Sequence, residues 1–149
     1  MRTATVGLFM MLAATALAAH VTVQPKESTA GSAQRYTVRV PAETAFPSMS
    51  VELEVPAGLT VTEVPTGAGY TVETKRDGGR IVAITWKQAI KPKESASFVF
   101  TAMNPAAAGQ LTWKAHQVYG DGTIVNWIGV EGDRRPASVT RISPPLRAN

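Results

Sequence analysis

The feature that most limits how this chain can fold is a period of two. Apolar and polar residues alternate in short runs, and Gly or Pro interrupts each run. Residues 35–40 set Tyr36, Val38 and Val40 against Arg35, Thr37 and Arg39. Residues 48–55 set Met49, Val51, Leu53 and Val55 against Ser50, Glu52 and Glu54. Successive side chains of a strand point to opposite faces, so each run reads as a strand with one face in a core and one in water. On that pattern Met49 belongs to the core.

Further strands are expected over 20–24, 59–64, 70–75, 80–87, 95–103, 111–119, 123–128 and 139–142. Asp77-Gly78-Gly79 predicts a tight turn joining 70–75 to 80–87 as a hairpin, with Val82, Ile84 and Trp86 sharing a face. Gly120-Asp121-Gly122 predicts a second hairpin. No long segment carries apolar residues at helical spacing, and Ala106-Ala107-Ala108 is too short to hold a helix. Nine or so short strands with Gly/Pro punctuation specify an all-β sandwich or barrel. The ends, 20–24 and 143–149, are expected to be the mobile parts.

The first nineteen residues follow a different rule. Met1-Arg2 is a short positive start. Residues 6–17 are almost wholly apolar, and small residues follow from Ala13 to Ala19. This is the pattern of a secretory signal, and it is too short to be a comfortable membrane-spanning helix. The expected division is a signal peptide over 1–19 and one domain over 20–149, acting in the periplasm or outside the cell. Cleavage after Ala19 leaves His20 first. Cleavage after Ala18 satisfies the small-residue rule better and leaves Ala19 ahead of it.

Composition removes several classes of function. The chain has no cysteine, which excludes disulfides, thiolate metal sites and a thiol nucleophile. Removing Arg2 leaves 14 basic against 11 acidic residues, scattered along the chain. Nucleic-acid recognition would want a clustered basic face, so no nucleic-acid partner is expected. No Gly-x-Ser-x-Gly or His-Glu-x-x-His arrangement is present. The expectation is a binding protein, not an enzyme.

His20 carries the sharpest chemistry. Freed at its amino end, it offers an α-amine and an imidazole on one residue. Both shed their protons near neutral pH and can close a chelate through the amine and Nδ1. Nitrogen donors in a tetragonal arrangement suit Cu(II). The second histidine, His116, falls on the polar face of its strand with Thr112 and Lys114. Trp86 and Trp113 share strand faces with apolar residues and are expected in the core. Trp127 pairs with Val125 in the same way.

Ordered blocks along the chain resemble the YcnI-like family. They begin with His20-Val21-Thr22-Val23-Gln24-Pro25 and continue with Tyr36-Thr37-Val38-Arg39-Val40-Pro41 and Val51-Glu52-Leu53-Glu54-Val55-Pro56. Asn104-Pro105, Leu111-Thr112-Trp113-Lys114-Ala115, residues 121–127 and Pro136-Ala137-Ser138-Val139-Thr140 follow in order. The resemblance implies an immunoglobulin- or cupredoxin-like β-sandwich of about seven to nine strands, outside the cytoplasmic membrane. It also implies copper handling through a single-histidine brace. His20 corresponds to the amino-terminal ligand and Trp127 to the nearby tryptophan. Glu94 corresponds to the acidic partner, with Lys93 standing where the family tends to read Gly. The expected function is a Cu(II) carrier that passes its ion to another exported copper chaperone or to a membrane importer. Two rivals stand beside it: a metal-free interaction module, and a copper oxygenase that uses His20 and His116 together.

Overall fold

The computed structural model describes residues 19–147. The expected signal segment lies outside the described residues, apart from Ala19. Twelve strands and no helix make up the described chain. In order across the sheet, a four-stranded sheet runs β1 (Thr22–Gln24), β3 (Ala33–Pro41), β8 (Ser95–Met103) and β5 (Thr60–Glu63). A five-stranded sheet runs β11 (Ile124–Trp127), β10 (Ala115–Tyr119), β4 (Ser48–Glu54), β7 (Arg80–Ile90) and β6 (Thr71–Asp77). A smaller sheet joins β2 (Glu27–Thr29), β12 (Ser138–Ser143) and β9 (Gly109–Trp113).

The alternation seen in the sequence builds the core. Tyr36, Val38 and Val40 of β3 are fully buried, as are Ile84 and Trp86 of β7. Aromatic rings from several strands meet at its centre. Trp86 stacks on Phe98 with centroids 5.4 Å apart, and Tyr36 lies 5.0 Å from Trp113. Contacts of this geometry add to the area that the rings bury. Trp86 and Trp113 are therefore core residues, as expected. Both predicted hairpins form. At the first, Gly78 and Gly79 take φ of 58° and 82°, the left-handed region that a two-residue hairpin loop demands.

Three expectations are corrected, and one strand, β2, forms where none is expected. Met49 is 41% exposed, because β4 shifts register against β7 between Ser48 and Ser50. The irregularity turns Ser48 inward instead, and Ser48 is fully buried. The segment 111–119 is not one strand. It breaks at Lys114, whose carbonyl accepts the Glu54 N–H at 2.9 Å, so β9 and β10 belong to different sheets. β2 carries no periodic signal and forms by pairing in parallel with β12. Finally, 20–24 is not a loose end. β1 pairs with β3, and Val21 and Val23 are in the core.

Candidate metal centre

Two sheet edges meet where β1 begins. His20 precedes the edge strand of the four-stranded sheet by two residues. Trp127 ends β11, the edge strand of the five-stranded sheet. Burial of Val21 fixes the direction in which the chain enters β1. The His20 ring then lies 5.4 Å from the Trp127 ring, centroid to centroid, with the planes tilted by 51°.

Trp127 is 6% exposed and its orientation is set from behind. Its Nε1–H donates to Gln117 Oε1 at 3.1 Å. Gln117 is itself fully buried, and its Nε2 donates to the Pro41 carbonyl at 2.8 Å and to Ser48 Oγ at 2.9 Å. One amide thus ties Trp127 to β3 and β4. With its N–H committed to the core, the indole offers His20 only its ring. Sequence reasoning misses Gln117 as a site residue. Its one signal is a polar side chain on the apolar face of the run that holds Ala115 and Tyr119.

A cavity of about 350 Å³ opens beside the two rings. Glu43, Tyr119, Arg134 and Arg135 line it together with Ala19, His20 and Trp127. Tyr119 Oη accepts the Glu43 N–H at 3.3 Å. Burial pushes the Tyr119 phenol up. The Glu43 backbone bond and the charge of Arg135 oppose that, while the charge of Glu43 adds to it. His20 also lines a second cavity, of about 480 Å³, together with Lys26, Glu131 and Asp133 among others. Lys26 Nζ donates there to Ser138 Oγ at 2.8 Å, and burial lowers its pKa.

Glu94 sits at the same end of the sandwich. Its carbonyl accepts the Ala42 N–H at 2.9 Å, next to Glu43 in the chain. Its side chain is exposed and is not among the residues that line the cavity beside Trp127. Lys93, before it, has φ of 68°. That is the left-handed conformation glycine adopts freely, which gives a physical reason for the Gly that the family tends to carry there.

His116 lies elsewhere. Its neighbours Ala115 and Gln117 point into the core, so His116 points to the outer face of the sheet. Nδ1 lies 2.7 Å from Asn126 Oδ1 and Nε2 lies 2.7 Å from Glu54 Oε2. The Glu54 carboxylate accepts, so Nε2 donates to it, and Nδ1 faces the Asn126 amide. Burial works against a charged ring, but the bonds to Asn126 and Glu54 and the charges of Glu54 and Glu52 outweigh it and raise the pKa. His20 meets Trp127, whereas His116 bonds Asn126, the preceding residue of β11 on its opposite face.

The donor set can be tested against a metal. Among the described residues, no three His, Asp or Glu side chains gather closely enough to hold an ion. A metal beside His20 therefore needs a donor beyond side chains. Ala19 lines the same cavity, so the bond before His20 opens onto it. An amine freed at that bond stays beside the imidazole. The residues fit a terminal chelate and do not fit a side-chain cage.

Fold and site together define an immunoglobulin-like β-sandwich with a histidine–tryptophan pocket bridging two sheet edges. A solved structure of an uncharacterized protein from Nocardia farcinica, described as immunoglobulin-like, superposes with a TM-score of 0.71 at 22% identity, covering 83% of this chain and 98% of that one. A cohesin module from a Clostridium perfringens family 33 glycoside hydrolase superposes at 0.59 with 15% identity, covering 85% and 96%. The chain belongs to the family described as "Domain of unknown function (DUF1775)", whose pattern matches residues 20–146. It is 36% identical over 143 residues to the copper-binding protein CutI of Bacillus subtilis (strain 168), an alignment covering 94% of this chain and 70% of that protein.

Proposed function

We propose that this protein binds and carries Cu(II) through residue His20 once the segment before it is removed. The observation that supports this most directly is the His20–Trp127 ring pair, which lines one cavity together with Ala19. The copper-binding relative points to the same metal. His20 supplies the α-amine and the imidazole. Trp127 covers one side and limits the approach of water, and its ring face favours a cation. Glu43 is the acidic side chain of that cavity and the first candidate for an oxygen donor. Glu94, anchored beside Ala42, is the second.

The role is carriage, not catalysis. An exposed chelate at a chain end exchanges its ion more easily than a closed cage. His116, on the outer face and engaged by Glu54 and Asn126, gives no second imidazole to the site. The protein acts in the periplasm or outside the cell and hands copper to another exported chaperone or to a membrane importer.

The test is a Cu(II) titration followed by electron paramagnetic resonance. The sample is chain shown by intact mass to start at His20, and the control retains Ala19. Tight one-to-one binding with nitrogen coupling, lost in the control, is expected. Equal binding in both would place the metal elsewhere. Glu43→Gln and Glu94→Gln, run in parallel, assign the oxygen donor to whichever variant changes the spectrum.

A further inference from the structure

The cavity that His20 and Trp127 share is lined by more basic than acidic side chains. Arg134 and Arg135 line it, with Glu43 as its carboxylate. A second cavity that His20 lines holds Glu131 and Asp133. Two arginines and one acid therefore line the cavity beside Trp127. Among the described residues, neither arginine has a carboxylate within 4.0 Å.

The loop that carries them is built to hold this arrangement. Gly129 N–H donates to the Arg135 carbonyl and Ala137 N–H donates to the Gly129 carbonyl, both at 2.9 Å. Asp133 is the acid nearest in sequence, but its Oδ2 accepts the Val130 N–H at 3.0 Å, inside the loop. Asp133 is thereby engaged with backbone, and both arginines line the cavity that His20 and Trp127 share.

We infer that this cavity binds a carboxylate, held by Arg134 and Arg135 beside His20. Guanidinium presents paired donors that match the two oxygens of a carboxylate. The inference rests on the copper reading in one respect. His20 and one acid leave a tetragonal ion short of donors, and a carboxylate on the arginines would stand next to the open position. Copper would then arrive or leave with a carboxylate attached. That carboxylate is either a small free anion or an acidic side chain of the protein that exchanges the ion.

The test has a metal-free arm and a copper arm. In the first, chain starting at His20 is labelled at arginine and titrated with sodium acetate, with sodium chloride as the ionic-strength control. Saturable shifts of two arginine Nε–H resonances are expected with acetate only. The double variant, Arg134→Gln with Arg135→Gln, lacks both reporters, so the single substitutions are read in this arm: each should weaken acetate by roughly tenfold or more at the arginine that remains, the scale of one lost charge-assisted hydrogen bond. The Trp127 indole resonance, unchanged, shows that each variant is folded. In the second arm, acetate added to the Cu(II)-loaded chain should alter the copper spectrum at lower concentration than in the double variant. A blocked peptide carrying one glutamate, run beside acetate, assigns the source. Tighter binding of the peptide indicates a protein side chain, and tighter binding of acetate indicates a small anion. Shifts that chloride reproduces, or an acetate affinity that both single substitutions leave unchanged, overturn the inference. Loss of copper binding with the acetate shifts intact would sink the copper reading alone. Copper bound as proposed with acetate silent in both arms would sink this inference alone.

Discussion

Gln117→Leu isolates what holds Trp127 in place. The replacement removes three hydrogen bonds: those from Nε2 to the Pro41 carbonyl and Ser48 Oγ, and the one from Trp127 Nε1 to Oε1. All of this is buried, so the partners gain no water in exchange. An unsatisfied buried group costs about 1–3 kcal/mol. The Ser48 hydroxyl can turn to the freed Pro41 carbonyl, and leucine adds apolar burial, which together offset part of the loss. A net destabilisation of about 3–5 kcal/mol is expected, a large share of the ~5–15 kcal/mol that holds a typical domain together. Urea unfolding measures it. A second readout is the indole N–H resonance of Trp127, assigned with Trp127→Phe. It should move to the position of an unbonded indole, while that of Trp113, which donates to Thr140 Oγ1 at 3.0 Å, stays. A loss below about 1 kcal/mol with the Trp127 resonance unmoved would refute the claim that Gln117 orients the ring. Trp86 Nε1 is buried without a partner already, so the fold bears one such group, and the test is whether it bears another.

Three further outcomes are expected. The raised pKa of His116 contributes stability that is complete below its unfolded value near 6.5 and is lost as pH rises through the folded value, so His116→Ala should flatten the decline of stability across that window in urea titrations at stepped pH. Gly129→Ala would set a Cβ 2.6 Å from Asp133 Oδ2 and 3.1 Å from the Arg135 carbonyl. It should cost about 1–3 kcal/mol, read by thermal unfolding, and should abolish the acetate response of the arginines by displacing the loop. Lys93→Gly relieves a left-handed φ of 68° and should stabilise the domain by up to about 1 kcal/mol, read as a higher urea midpoint.

Much of the architecture is legible because burial on one face of a strand writes a period of two directly into the residues. The runs in β3 and β8 and the hairpin at Gly78-Gly79 need nothing else. What escapes is decided by neighbours. Met49 has the pattern of a core residue and is displaced by an irregularity that depends on β7. Nothing in Lys114 announces a change of sheet. β2 exists because β12 lies beside it. The site divides in the same way. His20 stands out by its chemistry as a first residue, and Trp127 by the resemblance. Glu43, Arg134 and Arg135 lie in connections without periodicity, and only the folded chain brings them to one cavity.

The pocket beside His20 draws on both ends of the molecule. Its first wall is residue 20, and its other walls include Trp127, Arg134 and Arg135. Ribosomes make the chain from its amino end, so His20 is nearly the earliest residue of the domain to exist and its surroundings are nearly the last. Contacts this distant in sequence form late, because a long loop must close first. A truncated product that lacks the final two strands would carry His20 with no tryptophan against it and no loop beside it. Completion of the pocket therefore reports completion of the domain.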